Sequence, residues 1–219
     1  MFATEFNDLP PRSQEKHLAI IDAAKQLFLE TGFGPTSMDA VAERAGVSKR
    51  TVYSHFECKE ALFDSIMSQM CSVLGAAIQE QIDVMMAKAE TATGPDPEMA
   101  EMLQVLGCRF LTLISDQTDV ALFRIIIGEA SRFPQLGREF FEKGPKKLTE
   151  QLSVYLARQH ELGTLDIDDP NQAAWHFLAM VKDPIHLKLL IGLQDTPSQK
   201  EIKEIAEKGV DRFLKIYAV

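Results

Sequence analysis

The sequence predicts an all-α protein: a three-helix head built around a helix-turn-helix, followed by a larger helical body. Three observations predict it. Apolar residues recur at helical spacing along most of the chain, as in Met38, Val41, Ala42 and Ala45 at i, i+3, i+4 and i+7. No segment shows the strict alternation of a half-buried strand. Helix-breaking residues fall between the periodic stretches, at Gly32, Gly46, Gly94-Pro95, Phe133-Pro134, Gly144-Pro145, Gly163 and Pro197.

In chain order, residues 1–12 carry no periodicity, include Glu5 and Asp8, and end in Pro10-Pro11-Arg12; they read as a mobile arm. Ser13 is placed to cap a first helix running to about Thr31, with Ile20, Ile21, Ala24, Leu27 and Phe28 on its buried side. Thr36-Ser37-Met38-Asp39 has the pattern of a capping box and starts a second, short helix. Gly46 stops that helix in a left-handed conformation. Ser48 then caps a third, whose Val52 and Phe56 face back toward Val47. A long helix is expected from Cys58 to about Lys88, with Leu62, Phe63, Ile66, Met67, Met70, Leu74 and Ile78 on its apolar side. Further helices are expected over about 97–116, 119–131, 134–143, 145–162, 170–193 and 198–217. Pro184 should kink or divide the 170–193 helix near Asp183. The domain reading is an arm over 1–12, a head over 13–60 and a body over 61–219.

The function is suggested by what the third helix turns away from its core. Arg50, Thr51, Tyr53 and Ser54 point outward, and Lys49 lies at the amino-terminal edge. Between Arg44 and Phe56 there are three cations and no acid, within a chain of net charge −9. A small positive, hydroxyl-bearing and aromatic surface on the second helix of a helix-turn-helix suits a DNA major groove. Residues 1–60 hold seven Lys or Arg against nine Asp or Glu, so DNA contact must rest on a local patch. That balance argues for a site-specific binder and against an architectural protein that coats nucleic acid.

Other classes find little support. The chain is 46% apolar and 25% charged, ordinary for a globular protein. It has no run of eighteen apolar residues, so no membrane partner is expected, and its start has neither the basic nor the apolar region of a signal peptide. Cys58, Cys71 and Cys108 cannot all pair and lack metal spacing, which fits a reducing cytoplasm. No HExxH, GxSxG, GxGxxG or P-loop pattern occurs, and His17, His55, His160, His176 and His186 form no i, i+4 metal pair. Neither an enzyme nor a cofactor is expected.

Residues 15–63 resemble the DNA-binding domain of the TetR (tetracycline-repressor) family of bacterial transcription regulators. The resemblance is carried by Ile21-Asp22-Ala23-Ala24, Leu27-Phe28, Gly32-Phe33, Thr36 through Ala42, Ala45-Gly46-Val47-Ser48, Thr51 through Phe56 and Lys59-Glu60-Ala61-Leu62-Phe63. A looser similarity to one branch of the family follows at Phe133-Pro134-Gln135-Leu136, Gly144-Pro145 and Asp169-Pro170. Two positions depart from the pattern: Arg50 stands where Gly is frequent, and Cys58 where a small polar cap is usual.

The resemblance implies a dimeric repressor that reads a near-palindromic operator in double-stranded DNA and is released by a small lipophilic effector. It assigns DNA contact to Thr36, Ser37, Ser48, Lys49, Arg50, Thr51, Tyr53, His55 and Lys59. Lys49, Arg50 and Thr51 are expected at base edges, and Tyr53, His55 and Lys59 at phosphates. It implies a homodimer made by the last two long helices, with Ile202, Ile205, Ala206, Gly209 and Phe213 in the interface. It also implies an effector cavity in the body, sought first at Phe110, Phe123, Trp175, His176 and Met180. A ligand-blind DNA-binding structural protein and a helical enzyme or carrier with an inherited head are the alternatives.

Overall fold

The computed structural model describes residues 10–94 and 96–219, excepting the side chain of Leu74. Residues 1–9 of the arm expected over 1–12, with Glu5 and Asp8, therefore lie outside the described residues, as do Pro95 and the apolar role given to Leu74. Eleven α-helices are present among the described residues: α1 Pro11–Thr31, α2 Met38–Arg44, α3 Lys49–His55, α4 Lys59–Thr91, α5 Met99–Ile114, α6 Gln117–Glu129, α7 Pro134–Phe141, α8 Lys147–Glu161, α9 Pro170–Lys182, α10 Ile185–Leu190 and α11 Gln199–Tyr217. There is no strand among these residues, only an isolated bridge between Leu165 and Ala218.

Several boundaries follow from local chemistry. Helix α1 starts earlier than expected. Pro10 occupies its cap position and Pro11 its first turn, where a missing N–H is harmless, so Ser13 lies inside the helix and Arg12 is not in an arm. Gly144-Pro145 does not break the chain as expected: a π turn over Glu142–Lys146 carries it from α7 into α8. Pro184 does divide its helix. Helix α9 ends at Lys182 with Asp183 as its cap, and α10 begins at Ile185. Ser198 and Glu201 close a reciprocal capping box at the start of α11.

The chain forms two compact units that cut across the expected boundary at residue 60. The first comprises residues up to Met70 together with Leu122–Phe140; the second comprises Cys71–Ala121 and Phe141–Val219. In the first, Phe28, Phe33 and Phe63 are wholly buried, with ring centroids 5.2 to 5.5 Å apart. Each such side chain contributes about 1.5–3 kcal/mol of burial. Val41, Val52 and Phe56 of the helix-turn-helix join this core, and so do Leu122, Ile126 and Leu136 from α6 and α7. Phe133 meets Phe33 edge-on at 5.1 Å.

In the second unit, α11 packs against α5 and α9. Small residues allow this close approach. A Cβ on Gly209 would lie 2.8 Å from the Val181 Cα, and one on Gly107 would lie 3.4 Å from the Ala206 Cβ. Helix α4 has the length and apolarity to cross a bilayer by composition alone. It instead supplies Leu62, Phe63, Ile66 and Met67 to one core and Ile78, Ile82, Met85 and Ala89 to the other.

Candidate nucleic-acid interface

The turn between α2 and α3 is fixed by backbone hydrogen bonds. Gly46 has φ +65°. Its N–H donates to the Glu43 carbonyl at 3.2 Å, and the Val47 N–H to the Ala42 carbonyl at 3.1 Å, the paired bonds of a Schellman ending. Ser48 then accepts from the Thr51 N–H at 3.1 Å, capping α3. Val52 is fully buried and Phe56 nearly so, which anchors one side of the seven-residue α3.

The opposite side carries the expected surface. Ser48, Lys49, Arg50, Tyr53 and Ser54 are exposed, and Thr51 is half-buried with its hydroxyl 2.8 Å from that of Ser48. Lys49 pairs with Asp39 at 2.5 Å. Both side chains are exposed, so this pair is worth at most about 1 kcal/mol and yields readily to a phosphate. Arg50 makes no ion pair within the described residues and is free to extend. Ser37 is exposed and caps α2, accepting from the Ala40 N–H at 3.1 Å.

Three expected contacts are otherwise engaged. Thr36 is buried, and its hydroxyl donates to the Gly32 carbonyl at 2.7 Å while lying 3.0 Å from that of Thr31. It ties the end of α1 to the following loop, and the cap of α2 is Ser37 alone. The Lys59 ammonium donates to the carbonyls of Phe33 and Gly34 at 2.6 and 2.8 Å and lies 4.6 Å from the Phe33 ring centroid. Burial lowers its pKa. Lys59 thus holds the loop that leads into the helix-turn-helix.

His55 is half-buried, with Nε2 3.4 Å from the Ser13 hydroxyl and its ring 5.4 Å from that of His17. Burial lowers the pKa of both imidazoles; His55 is lowered further by Lys16, and His17 by His55. No sequence spacing announces this pairing, because the two histidines are 38 positions apart.

The effector residues expected in the body fall in two different units. Phe123 belongs to the first unit and packs on Phe140 at 4.9 Å. Phe110 is buried in the core of the second unit, with Met180 packed against that core. Trp175 stacks on Phe141 at 5.9 Å, and His176 Nδ1 lies 2.6 Å from the Tyr217 hydroxyl. The polar contact expected of His176 is thus taken by the chain itself. A groove of about 660 Å³, lined by Ala77, Val105, Cys108, Arg109, Leu113 and Ile202 among others, includes none of the five.

The expected dimer residues are also used internally. Ile202, Ala206, Gly209 and Phe213 are buried against α5 and α9, because the apolar stripe of α11 and its small residues face those helices. Ile205 is half-buried. Large apolar side chains left exposed in the second unit include Leu187, Ile191, Leu193 and Ile216, which are 58, 60, 74 and 60% accessible.

A tight helix-turn-helix with a buried anchor and an exposed cationic, hydroxyl-bearing second helix defines a DNA-binding protein. Comparisons with known proteins specify which one. Residues 20–66 match the bacterial regulatory proteins of the tetR family, and residues 101–219 match the AefR-like transcriptional repressor C-terminal domain. The chain is similar to a TetR-family transcriptional regulator from Mesorhizobium loti, with 30% identity, a TM-score of 0.81, and 96% of this chain and all of that one covered. It is similar to the flavonoid-responsive regulator FrrA, with 36% identity, a TM-score of 0.73 and coverage of 93% and 97%. It also shares 27% identity with the fatty acid metabolism regulator protein of Bacillus subtilis, over 71% of this chain and 82% of that one. The chain belongs to the TetR family of transcription regulators and is a DNA-binding repressor of that family.

Proposed function

We propose that the protein represses transcription as a homodimer on a near-palindromic operator and is released by a small lipophilic effector. The observation that carries the DNA-reading half is the exposed face of α3, where Lys49, Arg50 and Tyr53 project from a helix anchored by Val52 and Phe56. Arg50 meets a base edge, with the hydroxyls of Ser37 and Ser48 and the phenol of Tyr53 at phosphates. Because DNA is the partner, the protein acts in the cytoplasm.

The dimer face is redrawn from the expected one. Exposed Leu187, Ile191 and Leu193, on α10 and just after it, are the apolar side chains that need a partner, and two heads on one palindrome gain avidity that one lacks. Effector control is supported by similarity to a protein named as flavonoid-responsive. Helix α4 is a single element that contributes residues to both compact units, and it gives a ligand in the second a path to the head. Sequencing the fragments that purified protein retains from a random DNA pool tests this reading. A shared motif with twofold symmetry is the expected result, and uniform retention of unrelated fragments overturns it.

A further inference from the structure

Helix α8 carries Gln151, Tyr155 and Gln159 at i, i+4 and i+8. That spacing puts the three on one face of the helix, about 6 Å apart along its axis. Tyr155 and Gln159 are wholly buried, and Gln151 is half-buried. The Tyr155 hydroxyl and the Oε1 atoms of Gln151 and Gln159 are all shielded from solvent, and none has a hydrogen-bond partner. The Gln159 amide nitrogen reaches only as far as an Asp96 carboxylate oxygen at 3.5 Å. Burial pushes the Tyr155 phenol well above its ordinary range and the Asp96 charge adds to this; Gln159 eases it from close by, without hydrogen-bonding geometry.

A buried polar atom left without a partner costs about 1–3 kcal/mol and is uncommon in native proteins. Three in register on one helix face form an unmet pattern of recognition groups. The core around them is adaptable. Met85, Met99 and Met102 are buried in the same apolar cluster as Tyr155, and unbranched thioether side chains repack easily around a guest.

Resting on the effector-responsive reading above, we infer that Gln151, Tyr155 and Gln159 are the polar lining of the effector site, which takes a neutral, apolar molecule bearing two or more hydroxyl groups. Two amide oxygens require donors, whereas the phenol can give or accept. A hydroxyl answers all three. An anion would meet the Asp96 carboxylate that lies 3.5 Å from the Gln159 amide nitrogen, a penalty that a neutral hydroxyl does not carry.

The test uses the full chain, with 4,4′-dihydroxybiphenyl and its dimethyl ether as probes. Calorimetry is run on the parent protein and on Tyr155→Phe and Gln159→Leu, with melting temperatures of each free protein. The dihydroxy probe should bind the parent at least about tenfold tighter than the ether, and each variant should lose about tenfold in affinity for it. The free Tyr155→Phe variant should melt at or above the parent temperature, because an orphan hydroxyl has been removed. Equal binding of the two probes, or no binding of the dihydroxy probe, overturns the inference. A lower melting temperature for free Tyr155→Phe also overturns it, because the hydroxyl would then be serving a structural water. DNA retention by the free parent is measured alongside. If DNA is retained and the probe is not bound, only the ladder fails; if no DNA is retained, the repressor reading fails and probe binding still decides the ladder.

Discussion

Arg50 and Lys59 are both cations of the head, but their surroundings give them opposite work. Arg50 is exposed and unpaired within the described residues, so Arg50→Ala should leave melting unchanged. It should remove about 1–3 kcal/mol of preference at one operator base pair, read by comparing single-base operator variants in a retention assay. Lys59 satisfies two carbonyls of the loop after α1. Lys59→Met should destabilise the protein by about 1–3 kcal/mol in urea melts and leave the salt slope of DNA binding unchanged. His186 is held at about 4, first by burial and then by Lys182, against an ordinary 6.5. Between those values the unfolded chain binds the extra proton, so this contribution to stability is present above about pH 6.5 and is lost as pH falls toward 4. His186→Gln should flatten the decline of melting temperature in that window relative to the parent.

Among the elements, two glycines show different reasons for the same residue type. Gly46 has open space around it, and its requirement is the positive φ that turns α2 into α3. Gly46→Ala should cost about 1–2 kcal/mol from the left-handed backbone alone. Gly209 has an ordinary helical backbone but no room: an added Cβ would meet the Val181 Cα at 2.8 Å and the Met180 carbonyl at 3.0 Å. Gly209→Ala should force α11 and α9 apart, at about 1–3 kcal/mol, and chemical denaturation of the two variants measures both. The smallness of Ala206 and Gly209 reads correctly in the sequence as permission for a close helix. Which helix approaches does not follow from smallness: it is α9 at Gly209 and α5 at Ala206, both of the same chain.

For the whole molecule, the dimer and the effector switch are linked predictions. Leu187→Glu with Ile191→Glu should give a folded monomer by sedimentation that no longer retains operator, while Ile205→Glu, on a half-buried side chain, should act more weakly. A stable monomer for the parent protein removes the dimer from the mechanism. If an effector releases DNA, operator must weaken effector binding by the same factor. A ~100-fold effect corresponds to about 2.7 kcal/mol of coupling, which calorimetry with and without operator measures directly. Equal affinities in the two experiments would mean that the ligand is not the inducer.

The sequence by itself determined the all-α class, the positions of α2 and α3, the left-handed Gly46, the Ser48 cap and the outward face of the recognition helix. These depend on residues within a few positions of one another, where helical spacing and capping chemistry act directly. It also located the division at Pro184, because a missing N–H and a ring clash are local facts. Only the tertiary structure decided that Lys59 clamps a loop 25 residues earlier, that His17 meets His55, and that Leu122, Ile126 and Leu136 complete the core of the head. It alone turned the stripe of α11 inward and assigned Phe123 to the first unit and Trp175 and His176 to the second. An apolar stripe records that a face is covered and not by what, since burial is non-directional and any neighbour of suitable shape satisfies it. The Gln151–Tyr155–Gln159 ladder has the same origin: its spacing is visible in the chain, but only packing left its oxygens dry and unmet.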